Sequence, residues 1–189
     1  MVQNRTLVRS KELKDLSVSR SHLWNLAKAG RIEHVGRGLY RAKDSPLSTN
    51  QSLLEVAKRA PLGVLCLSSA LRYHELTTEN PFEIWLAIER GAWSPKLDYP
   101  PVRVVHFSRE AFAFGIETHS VDGGTLRVYS PAKTVADCFK FRSKIGMETT
   151  IQALRAAYRE KKASMDELWR AAKVCRVVSV MRPYMESLV

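Results

Sequence analysis

The chain has 189 residues, 45% of them hydrophobic and 26% charged, with nine glycines and eight prolines. This composition excludes a collagen-like, disordered or disulfide-built protein and allows one domain, or a small module joined to a medium one. The formal net charge of +11 points to a polyanionic partner, and the excess is uneven: residues 1–45 hold ten Lys/Arg against four Asp/Glu, residues 46–189 twenty against fifteen.

The opening stretch, MVQNRTLVRSKELK, lacks the apolar core of a secretory signal, and the longest apolar run, over 62–67, is too short to span a bilayer. A cytoplasmic protein without membrane contact is expected. Ser10 can cap a short helix over 11–16, and Ser19 a second one after the turn at 17–19. On a helical wheel Leu23, Leu26 and Ala27 face inward, while Ser21, Trp24, Asn25 and Lys28 fall on the other side. Gly30 stands where a left-handed residue closes a helix. Two short helices joined by a tight turn predict a helix-turn-helix, whose second helix enters the major groove of DNA.

The residues that follow extend this reading. Residues 31–35 alternate polar and apolar, residues 39–41 do so again, and Gly36-Arg37-Gly38 can turn between them. A basic hairpin directly after a recognition helix is a wing. Asn25 can bond adenine in a bidentate fashion, Arg20 guanine, and Ser21 a base edge. Lys28, Arg31, Arg37 and Arg41 suit phosphates or the minor groove. Ser19, His22 and Trp24 complete the candidate DNA-binding set, and Tyr40 is expected to pack beneath the helices. One duplex touching helix and wing together explains why so many cations crowd into one short unit.

The run LSVSRSHLWNLAKAGRIEHVGRGLYRA resembles the N-terminal winged helix of the AbiEi family, the antitoxins of abortive-infection AbiE systems, classed as type IV toxin–antitoxin pairs. Family members carry a further apolar helix before the helix-turn-helix. Here only residues 1–8 precede it, so that helix is shortened or its place is filled by residues 51–60.

The junction is expected over 44–48, which is rich in turn formers and helix breakers. Domains of 1–45 and 46–189 follow from it. A helix over 51–60 ends at Pro61, a buried apolar run occupies 62–67, and SSALRYHEL reads as helical. Strands are expected over 83–88, where the pattern alternates, and over 102–107, 116–121 and 126–129, the last two joined by Asp122-Gly123-Gly124, a hairpin signal. The last third reads as helices over 130–141, 148–161, 164 onward from a capping box, and 177–188, this one interrupted or begun at Pro183. The fold class is α+β: a winged helix-turn-helix, then a mixed domain with a small, largely antiparallel sheet and C-terminal helices.

No catalytic, metal or cofactor constellation emerges. Phosphate-loop, GxSxG and HExxH motifs are absent. Cys66, Cys138 and Cys175 are scattered and read as core thiols of a reducing compartment. His106 and His119 fall on strands expected to be neighbours, with no ligand set around them. Glu83, Glu117, Asp122 and Asp137 do not converge as a nuclease requires, and Asp137 is expected to be buried and bonded to a hydroxyl or an arginine. Arg155, Arg159 and Lys162 line one side of the helix over 148–161, either as a solvated face or as a second anionic contact.

CLSSALRYHEL, the Trp85 strand with Trp93-Ser94-Pro95, PPVRVVHFS and YSPAKTVADCFKFRSKIG resemble the AbiEi C-terminal domain, so that the similarity covers nearly all the chain. The resemblance implies a non-enzymatic antitoxin. Its winged helix would repress its own operon by binding inverted repeats in double-stranded promoter DNA. Its C-terminal domain would neutralise a cognate nucleotidyltransferase toxin without needing a stable complex. The alternatives are a plain winged-helix regulator with a sensing or dimerising C-terminal domain, and a metal-dependent nuclease.

Overall fold

The computed structural model describes residues 8–10, 18–36, 39–43, 50–95, 97 and 99–188. The helix expected over 11–16, the wing tip at Arg37 and the junction over 44–48 lie outside the described residues. The N-terminal elements are β1 (Val8–Arg9), α1 (Arg20–Lys28), β2 (Ile32–Gly36) and β3 (Leu39–Ala42). They form a three-stranded antiparallel sheet in the order β1-β3-β2, with α1 beside it. A bulge between His34 and Gly36 shifts the β2–β3 register. Leu23 is 4% exposed and packs with Val18, Ile32 and Tyr40, which ties the helix to the sheet. Tyr40 lies beneath the helix as expected. Leu26 and Ala27 are only half-buried.

The remaining elements are α2 (Gln51–Arg59), β4 (Val64–Leu65), α3 (Leu67–Tyr73), β5 (Ile84–Glu89), β6 (Val102–Phe107), α4 (Arg109–Ala113), β7 (Ile116–Val121), β8 (Gly124–Tyr129), α5 (Pro131–Lys140), α6 (Arg142–Ile145), α7 (Met147–Arg159), α8 (Met165–Cys175) and α9 (Val178–Glu186). The α+β class holds. The sheet is mixed, in the order β6-β5-β4-β8-β7, with β4–β5 and β7–β8 antiparallel but β5–β6 and β4–β8 parallel. Both faces are covered. Trp85, Ala87, Val105, Phe107 and Tyr129 point into a large core shared with α3, α5, α7, α8 and α9. Ile84, Leu86, Leu126 and Val128 point the other way, onto α2. Hence β5 is buried along its length but for Glu89, where the sequence suggested alternation: a central strand roofed on both sides has no wet face.

Local sequence signals account for the element ends. Asp122 (φ 48°) and Gly123 (φ 73°) form the two-residue turn between β7 and β8, both left-handed. Ser130 caps α5, with Pro131 at the first helical position, and Ser164 and Glu167 close a capping box on α8. Residues 177–188 give one helix that begins at Val178 and runs through Pro183, with Met181 and Met185 buried. That anchorage overrides the proline. Leu54 and Val56 of α2 are buried against the five-stranded sheet. Gly124 permits that contact: a β-carbon there would stand 2.5 Å from Leu54 Cδ2. Among the described residues no helix is long and apolar enough to cross a membrane.

An ion pair lies inside the large core. Lys133 and Asp137, one turn apart on α5 and both 0% exposed, bond through Nζ and Oδ2. The ammonium also lies 4.2 Å from the Tyr129 ring centroid and 4.7 Å from that of Phe107. The Cys175 thiol donates to Asp137 Oδ1 at 3.2 Å. Asp137 is thus bonded to a lysine and a thiol, not to the hydroxyl or arginine expected. Burial raises its pKa, against the pull of Lys133. Burial, with Asp137 next, pushes the Cys175 thiol up to about 12. All three cysteines are free and buried.

Candidate nucleic-acid interface

The recognition helix is fixed at both ends by its own sequence. Ser19 stands at the N-cap with extended backbone, and its Oγ accepts from His22 N at 3.1 Å and lies 3.2 Å from Ser21 Oγ. At the other end Gly30 (φ 69°) donates to Ala27 O and Arg31 to Leu26 O, a double bond pattern that needs a left-handed residue at Gly30. No acidic residue occupies the first turn and Lys28 occupies the last. The helix N-terminus therefore keeps its attraction for a phosphate.

Ser21, Trp24, Asn25 and Lys28 share one exposed face of α1, as their spacing predicts, and His22 is exposed beside the cap. Arg20 opens the helix and Arg31 is exposed just past its end. Arg41 lies on β3 opposite Glu33, and Arg37 is outside the described residues. His34 packs against the Tyr40 ring at 5.1 Å. The helix thus brings the amide, hydroxyl and ammonium candidates together on one exposed face.

Two features were missed from sequence. Lys43 is exposed beyond β3, donates its backbone N–H to Arg31 O at 3.3 Å, and so adds a cation at the base of the wing. The Lys28 ammonium sits 5.1 Å above the Trp24 ring. The i,i+4 spacing was the available signal for the second.

The other candidates are dispersed. Arg155 and Arg159 are exposed on α7, but Lys162 is drawn inward: its ammonium bonds His74 O at 2.8 Å and Glu160 at 2.8 Å. His106 and His119 were expected on neighbouring strands. They lie on β6 and β7, the opposite edges of the sheet, because β5, β4 and β8 are inserted between. His119 bonds Glu117 at 3.2 Å, and Glu83 pairs with Arg103. His74 Nε2 meets Tyr129 O at 2.7 Å, and burial lowers its pKa. Among the described residues, no group of three or more His, Cys, Asp or Glu could hold a metal ion.

A capped helix with a polar and basic outer face, followed by a bulged antiparallel hairpin, defines the N-terminal unit as a winged helix. Residues 3–43 match the AbiEi_4 family, described as transcriptional regulator, AbiEi antitoxin. The crystal structure of the RV2827C protein from Mycobacterium tuberculosis is similar in fold: TM-score 0.66 at 13% identity, over 98% of this chain and 76% of that one. No curated protein matches the sequence.

Proposed function

We propose that this chain is the antitoxin of a type IV toxin–antitoxin pair and represses its own operon. The observation that carries the reading is the match of residues 3–43 to AbiEi antitoxin regulators, on a helix whose exposed face holds Ser21, Asn25 and Lys28. Residues 1–45 are the operator-binding unit, and residues 46–189 the α+β unit that neutralises a nucleotidyltransferase toxin. Ser21, Asn25 and Arg20 read bases in the inverted repeats of the promoter. Lys28, Arg31, Arg37 and Arg41 hold phosphates or the minor groove. The chemistry is recognition, not catalysis, and the protein works in the cytoplasm beside its DNA.

Asn25→Ala should cost about 1–3 kcal/mol on the chain's own upstream DNA and little on a scrambled duplex. Lys28→Ala should weaken both alike, because a phosphate contact carries no sequence. Fluorescence anisotropy on the two duplexes measures this, and equal losses for Asn25→Ala would remove it from the base readers.

The antitoxin half is tested by growth. Full-length protein and residues 46–189, the latter checked for folding by circular dichroism, are expressed with the neighbouring toxin gene. Rescue by both is expected. Rescue by neither, with the fragment folded, overturns the antitoxin reading and leaves a plain regulator.

A further inference from the structure

Helix α1 needs one large apolar residue for its own packing, and Leu23 supplies it at 4% exposure. The next residue, Trp24, is 61% exposed, and it stands on the same face as Ser21, Asn25 and Lys28. What distinguishes this exposed indole is its company: it shares its face with an amide, a hydroxyl and an ammonium, so it is open to an apolar group of whatever that face meets. The Lys28 ammonium, 5.1 Å from the ring centroid, draws the ring against the helix and limits its rotamers. The result is a pre-set apolar plate between two polar readers.

Resting on the operator reading above, we infer that Trp24 is a specificity-determining residue that recognises thymine through its C5-methyl group. In the major groove the base edges offer donors and acceptors, and the thymine methyl is the one apolar group among them. An amide cannot read that methyl and an indole can. Trp24 therefore places a thymine in each half-site next to the base that Asn25 reads. The Lys28 ammonium, beside the ring, brings a positive charge to the same face for the phosphate alongside.

The experiment removes the methyl from the DNA and leaves the protein intact. The segment of its own upstream DNA that the full-length protein protects is resynthesised with deoxyuridine for thymidine, one position at a time. At one position per half-site the wild-type protein should lose about fourfold in affinity, equivalent to the burial of one methyl at about 0.8 kcal/mol. Trp24→Ala should bind the unmodified segment more weakly and be indifferent to deoxyuridine at that position. Its helix should persist in circular dichroism, since Trp24 is outside the Leu23 core. Selective binding by the wild type with no deoxyuridine position costing affinity would overturn the inference alone. So would an undiminished penalty in Trp24→Ala, which would assign the methyl to another residue. A wild type that does not discriminate its own DNA from scrambled DNA would overturn the operator reading, and the thymine contact with it.

Discussion

Asp137→Ala is expected to cost about 3–5 kcal/mol of folding free energy, the usual penalty for removing one partner of a buried ion pair. Lys133 would keep its ammonium in a fully buried site with only the faces of Tyr129 and Phe107 for company. The Cys175 thiol would lose its acceptor as well. Against a typical total of about 5–15 kcal/mol, the loss moves the protein close to its unfolding threshold. Urea denaturation of the full-length protein, followed by circular dichroism, reads it as a fall in midpoint at unchanged slope. The control is the double variant Lys133→Met with Asp137→Leu. It removes both charges and keeps the lysine volume, although the larger leucine must be accommodated in a fully buried site, and it should recover part of the loss. If Asp137→Ala costs less than about 1 kcal/mol, the uncompensated-charge argument fails.

The second large effect concerns DNA. About six phosphate contacts give a log–log salt slope near −5, which is about a thousandfold loss of affinity between 50 and 200 mM salt. The proposed contacts are the helix N-terminus, Lys28, Arg31, Arg37 and Arg41, and the exposed Lys43 is proposed as a sixth. Titration of the full-length protein onto its own upstream DNA and a scrambled duplex, across a salt series, checks the figure. Because phosphates carry no sequence, both duplexes should lose affinity steeply, and the gap between them should persist. A slope near zero would rule out the winged unit as a phosphate clamp.

The parts legible in the sequence were those fixed by local chemistry. Ser19 and Gly30 bound the recognition helix, Asp122-Gly123 set a hairpin, and Ser164 with Glu167 opened a helix; each effect acts within a few residues. Strand order was not legible. β4 is two residues long, too short to show a period, yet it is the strand that joins the two halves of the sheet. Without it, β6 and β7 look like neighbours and His106 and His119 like a pair. The two-residue β1 escaped notice for the same reason. Lys133 was not legible either. A lysine in a helix reads as solvated, and only the fold shows that it points into the core with Asp137 one turn on. Within the candidate interface, spacing placed Ser21, Trp24, Asn25 and Lys28 together on the exposed face, whereas Lys43 depends on how β3 ends beside Arg31.

The pairing of Leu65 on β4 with Val128 on β8 has a consequence for how the chain is made. During synthesis, β4 and β5 leave the ribosome long before β8, so β4 must wait with one edge unsatisfied. Long-range pairing of this kind is intrinsically slow, because the loop must close before the contact repays it, and an open edge beside apolar neighbours invites pairing with another nascent chain. Aggregation during expression should therefore be governed by the interval between β5 and β8, and a slower passage through that interval would lengthen the exposure.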